Sequence, residues 1–157
     1  MAKTIALLAT LDTKGVEIAF MRDCIIERGH RALVIDSGLM GEPATAADIS
    51  NAQIAEAGGS SLETLRLHAD REESAPVMAA GATKLVGEYV ARGEIQALVA
   101  LGGTQGTTLS TTVMRALPYG FPKIMVSTMA SGNVAPWVGT SDIMMICLLY
   151  TSDAADE

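Results

Sequence analysis

Only two cysteines, Cys24 and Cys147, occur in 157 residues, too few and too far apart for a disulfide framework or a zinc site. Aromatic residues make up 4% of the chain, so the stacking surfaces that grip single-stranded nucleic acid are missing. The 11 basic side chains are outnumbered by 18 acidic ones, and a net charge of −7 repels phosphate-rich polymers. Neither nucleic acid nor an anionic membrane is therefore expected as a partner. No apolar run reaches the length of a membrane helix, and the opening residues show no cleavable leader, which makes the cytoplasm the expected compartment.

What the chain does have is aliphatic and small residues. Hydrophobic types make up 49% of it, a composition suited to helices packed closely on a sheet, and its length suffices for one α/β domain. The segment IQALVALGGTQGTT, residues 95–108, organises the rest. Its apolar half reads as a strand buried on both faces of a parallel sheet. Gly102, Gly103 and Gly106, interleaved with Thr104, Gln105, Thr107 and Thr108, then turn the chain into a helix expected over residues 109–117. A strand, a glycine turn and a helix start gather unpaired N–H groups where the helix dipole also favours an anion, which is a cradle for phosphate or carboxylate. The glycines are expected to supply positive φ and open backbone. The pattern is neither a P-loop nor a full dinucleotide fingerprint, and a plain strand-to-helix turn is the alternative.

Residues 3–10 read as a central strand, followed by a loop of Leu11, Asp12, Thr13, Lys14 and Gly15. A helix then buries Val16, Ile18, Ala19, Met21, Ile25 and Ile26, with Cys24 as a core thiol, and Gly29 stops it. Strand 31–36 ends on Asp36, about 20 residues past the first loop, where dinucleotide folds keep an acid for ribose hydroxyls. A turn role explains Asp36 as well. Lys14 can neutralise phosphate and Thr13 can donate to it, while Asp12 either holds a metal-bound water or caps the helix.

Residues 37–47 read as a surface loop, and Ser50 or Asp48 as the cap of a short helix. Residues 62–70 show no period and are expected to wander near the ligand edge; His68, without companion ligands, reads as an ordinary polar side chain rather than a metal ligand. A long helix covers residues 71–92, continuous from about Ser74 because of Pro76, with Gly81 and Gly87 leaving room for close packing on the sheet or another subunit. A strand over residues 122–127 ends in a second small-residue loop carrying Ser127, Ser131 and Gly132 at the same rim. Trp137 either stacks on an adenine or acts as a packing lid or subunit contact, Asp142 either holds magnesium or caps a helix or turn, and residues 143–146 start a fifth strand.

Taken together, TIALLATLDTKGVE, VIDSG, ALGGTQGT, KIMVSTMASG and APWVGTSDI resemble the amino-terminal domain of the ATP-binding family that includes the tomato mosaic virus resistance protein. The resemblance spans nearly all of residues 1–146. It implies a Rossmann-like three-layer α/β domain with a mostly parallel sheet, cut short at its carboxyl end and belonging to a longer two-domain protein. It also implies bound ATP, with Mg²⁺ as a further expectation, and a homodimer. By position, ATP would meet Asp12 to Gly15, Gly102 to Thr108 and Ser127 to Gly132; chemistry assigns phosphate to the middle loop, ribose and metal to the other two. Residues 147–157, CLLYTSDAADE, resemble a translated sequencing adapter and are expected to be a non-native tail. No nucleophile–base pair is evident, since His30 follows a helix end away from the loops. The alternatives to an ATP-binding domain are a metabolic enzyme for a phosphorylated or carboxylate small molecule, and a nucleotide-dependent regulatory module without catalysis.

Overall fold

The computed structural model describes residues 1–67 and 71–148. Five strands, β1 (Thr4–Ala9), β2 (Arg31–Asp36), β3 (Ala97–Gly102), β4 (Lys123–Ser127) and β5 (Met144–Cys147), form one sheet in the order β2-β1-β3-β4-β5. Every pairing is parallel. Between them run α1 (Leu11–Glu27), α2 (Asn51–Ala57), α3 (Leu62–Leu67), α4 (Arg71–Ala91), α5 (Thr104–Ala116) and the short α6 (Ala135–Val138), with a 3₁₀ turn over Thr128–Ser131. The Rossmann-like three-layer architecture that the family resemblance implies is the one found.

The near-continuous apolar strands are explained by burial on both faces. On one face Ala6, Leu8, Leu98, Ala100 and Met125 meet α2, α4 and α5 through Ile54, Met78, Val86, Val113 and Met114. On the other, Leu7, Val34 and Leu101 meet α1 through Leu11 and Ile18. That second face is only half roofed. Val99, Ile124 and Val126 are partly buried there, and Met144 and Ile146 on β5 are 59% and 44% exposed.

Several boundaries differ from the sequence expectation. The loop expected over residues 11–15 is the first turn of α1, and the helix expected from residue 109 starts at Thr104. Threonine is a poor helix former, but here its hydroxyls bond back along the helix: Thr107 to the Gly103 carbonyl, Thr108 to Thr104, Thr111 to Thr107 and Thr112 to Thr108. Residues 62–67 are helical where no period was visible, and α4 runs through Pro76 from Arg71. The proline falls in the second turn. On α1, Val16 and Ile26 are exposed and Cys24 is only half-buried, because the helix covers little more than β1 and β2.

The cap at Ser50 is as expected, with a reciprocal bond to Gln53. Positive φ at the central glycines is overturned: among the described glycines it occurs at Gly29, Gly59, Gly93, Gly120 and Gly139. Gly102 is required for space instead, since a Cβ there would lie 2.9 Å from the Gly106 Cα. Cys147, assigned to the tail, closes β5 opposite Ser127. His68 and residues 149–157 lie outside the described residues.

Candidate functional site

Parallel strands deliver their following loops to one rim of the sheet, and a crevice forms where neighbouring crossovers leave on opposite faces. Here that point lies between β1, followed by α1 on one face, and β3, followed by α5 on the other. A cavity of about 1320 Å³ opens there, larger than the roughly 300–1,000 Å³ of ordinary ligand clefts.

Its floor and one side are polar. Thr10, Asp12, Thr13 and Lys14 come from the start of α1, and Gly103, Thr104, Gln105 and Gly106 from the start of α5. Neither N-cap residue, Thr10 or Gly103, caps its helix with its own side chain. At the start of α1, Leu11 N is taken by Asp36 Oδ1 and Thr13 N by the Thr10 carbonyl, but the positive dipole ends of both helices lie at the same hollow. Lys14 stands among them, 3.6 Å from Glu17, and Thr10 and Thr13 share a hydroxyl–hydroxyl contact of 2.9 Å. Lys84 adds a second cation from α4. The opposite side is apolar: Pro76, Met78, Ala79 and Ala80 present a stripe of α4, and Leu39 and Met40 close the rim.

The loop after β2 is fastened rather than free. Gly41 N donates to Asp12 Oδ2 at 3.2 Å, Ala44 N to the Leu11 carbonyl at 2.9 Å, and Arg66 Nε to the Leu39 carbonyl at 2.6 Å. Gly15 and Gly41 are explained by this docking. A Cβ on Gly15 would sit 2.8 Å from that of Ala44, and one on Gly41 2.6 Å from that of Asp12.

Eight of the residues singled out from sequence line the cavity: Asp12, Thr13, Lys14, Gly103, Thr104, Gln105, Gly106 and Thr108. The others do not reach its wall. Asp36 is buried, and its Oδ1 accepts from Leu11 N at 3.1 Å and Gly38 N at 2.8 Å, which ties the end of β2 to the start of α1. Burial pushes its carboxyl above the usual range; those two amides oppose the rise and the Asp12 charge adds to it. Thr107 and Ser127 are buried against each other through their hydroxyls, and Ser127 Oγ also accepts from Met129 N. Ser131 and Gly132 follow on the far side of that turn, outside the cavity lining.

Asp142 is placed away from the rim altogether. Its carboxylate takes the Lys123 ammonium at 2.6 Å and the Gly120 amide at 2.7 Å, at the opposite, amino, edge of the sheet. The Lys123 ammonium holds the carboxyl below its usual range, helped by the Gly120 amide. In this structure it is the ion-pair partner of Lys123. Trp137 does not line the cavity: its Nε1 donates to Thr108 Oγ1 at 3.3 Å, and Arg115 bonds its carbonyl. The α4 wall was missed, although Pro76, Ala79, Ala80 and Thr83 recur at helical spacing as a stripe of small residues. Ser37 was missed inside a stretch that looked like plain loop.

Residues 3–150 match the amino-terminal domain of the uncharacterised protein family UPF0261. The chain belongs to that family. It is 42% identical over 146 residues to a UPF0261 protein of Clostridium tetani, covering 93% of this chain and 36% of the relative. A UPF0261 protein of Brucella suis is 36% identical over 143 residues, covering 90% of the chain and 34% of that relative. This UPF0261 chain thus spans about a third of the length of the curated relatives it matches. The tomato ToMV resistance protein Tm-1(GCR237) is 44% identical over 48 residues, 31% of this chain and 6% of that protein. These names specify no ligand, so what supports one is the cavity itself. Among the described residues no helix is long and apolar enough to cross a membrane, and no group of three His, Cys, Asp or Glu side chains converges as a metal site.

Proposed function

We propose that this UPF0261 domain binds a nucleotide, ATP foremost, in the cavity between β1 and β3. The observation that carries the reading is the convergence of two helix starts, with Lys14 between them, on one hollow whose far wall is apolar. The triphosphate lies across the α1 and α5 amides with Lys14 beside it, and the base lies against Pro76, Met78 and Ala79. Bound Mg²⁺ would arrive on the phosphates, because among the described residues Asp12 is the one acidic side chain on the cavity wall and the other ligands would be phosphate and water. Among the described residues the walls hold no nucleophile paired with a base, and the chemistry assigned to the site is binding.

Isothermal titration with ATP, ADP and inorganic phosphate tests this. Saturable binding of ATP, weakened about tenfold by Lys14→Gln through loss of one charge-assisted contact, is the expected result. Equal or stronger binding of inorganic phosphate alone would move the assignment to a small phosphorylated metabolite.

A further inference from the structure

Two buried side-chain polar atoms among the described residues have no hydrogen-bond partner: Asp12 Oδ1 and Ser37 Oγ. Both residues line the same cavity, on the β1–β2 side of its floor. Ser37 is only 5% exposed. An orphaned buried acceptor is costly, the more so when it is charged, so two of them beside one hollow call for a cause. They also pose a problem for a pure phosphate cradle, because a carboxylate at the start of α1 repels the anion that both helix dipoles attract. A ligand suited to this floor brings hydrogen-bond donors next to its phosphate.

Resting on the nucleotide reading, we propose that Asp12 and Ser37 form a hydroxyl-reading subsite that takes the vicinal diol of a ribose-type sugar. Asp12 Oδ1 accepts from one ligand hydroxyl, and Ser37 Oγ, which can donate or accept, meets its neighbour. Asp12 is held ready for this. Its Oδ2 is engaged by Gly41 N, so the carboxylate is oriented with Oδ1 turned toward Gly38, where an added Cβ would come within 3.3 Å. The same crowding disfavours a hydrated magnesium ion at Oδ1, since Mg²⁺ keeps several waters and Oδ1 touches no solvent. A hydroxyl is smaller. It reaches Oδ1 as the loop around Gly38, which lies against that oxygen, shifts outward. Asp36, the acid expected from sequence to read ribose, has its Oδ1 engaged by Leu11 N and Gly38 N and is not on the cavity lining. Its role passes to the acid one strand over.

The test is calorimetric titration of the full 157-residue chain, and of its Ser37→Ala and Asp12→Asn variants, with ATP, 2′-deoxy-ATP, 3′-deoxy-ATP and inorganic triphosphate, each with and without Mg²⁺. Circular dichroism first establishes that each variant is folded; Ser37→Ala removes one oxygen and tests the idea even if Asp12→Asn loosens the loop. ATP is expected to bind about ten- to a hundredfold more tightly than at least one deoxy analogue, with or without Mg²⁺, and Ser37→Ala to narrow that gap. Equal binding of ATP and both deoxy analogues overturns the subsite and leaves the nucleotide assignment standing. An Asp12→Asn defect seen only with Mg²⁺ overturns it in favour of a metal role. Failure of ATP and triphosphate alike to bind removes the nucleotide reading and the subsite with it.

Discussion

Replacing Gly81 by alanine measures how closely α4, the apolar wall of the cavity, is seated on α2. An alanine Cβ would lie 2.8 Å from Gly58 N and closer still to the Ile54 carbonyl oxygen, where relaxed contacts need about 3.5 Å. Both obstacles are main chain, which cannot rotate away as a side chain does. The two helices must part by on the order of 1 Å, and overpacking of this kind costs roughly 1–3 kcal/mol. Alanine returns about 1 kcal/mol in helix propensity. Main-chain collision puts the cost at the upper end, so a net loss of about 2 kcal/mol is expected, or about 4–8 °C in Tm for a domain of this size. Gly87→Ala is the internal control. Nothing lies within 4 Å of its added Cβ, so it should gain up to about 1 kcal/mol from propensity alone. Urea melts followed by far-UV circular dichroism read both. Two alanines moving the midpoint in the same, stabilising, direction would refute the close approach, and with it the position assigned to Met78 and Ala79 along the ligand.

Other perturbations probe the rim and the two displaced acids. Gly103→Val should leave Tm within 2–3 °C of the parent, roughly 1 kcal/mol, because its φ of −81° suits any residue and only Thr128 Oγ1 lies near the new Cβ. ATP affinity measured by titration should nonetheless fall at least about tenfold, since the side chain fills the amide cradle. For Asp142, a carboxyl held below its ordinary value of 3.8, the stabilisation is present above that pH and lost as pH falls through the lowered value. Asp142→Asn should therefore be less stable than the parent at pH 7, with the gap closing toward pH 3 in thermal melts. Asp36 has the opposite sign: its carboxyl is raised, so its buried charge weakens the fold at neutral pH and the fold gains as pH drops through that value. Asp36→Asn keeps an acceptor for Leu11 N and Gly38 N, and its urea midpoint at pH 7 should equal or exceed the parent's.

The strand ends were legible because buried parallel strands announce themselves as aliphatic runs, and the glycine loop at residues 102–106 pointed to the rim where the cavity opens. The helix starts were not. LDTKG and TQGTT carry glycine and threonine, which local propensity assigns to loops, yet they are helical because Gly15 must admit Ala44 and the threonines bond back to carbonyls four residues earlier. Asp36 and Asp142 show a second limit. Each stands at a strand or turn position that suits a ligand acid, but partners remote in sequence, the Leu11 amide for one and the Lys123 ammonium for the other, claim their oxygens first. Ser37 and the α4 stripe belong to the cavity only because the chain returns to it from three directions, which no local pattern records.

The half-roofed face of the sheet has a bearing on how such a domain can be enlarged. Connections that run from β3 to β5 use the side already filled by α5, so matter added beyond the fifth strand finds hydrocarbon waiting on the reverse side, over Val99, Ile124, Val126 and Ile146. The ligand rim lies along a different border, at the carboxyl ends of β1 and β3. Growth and recognition therefore occupy separate real estate on the same scaffold, and a family whose members extend to nearly three times this length can vary the one without redrawing the other.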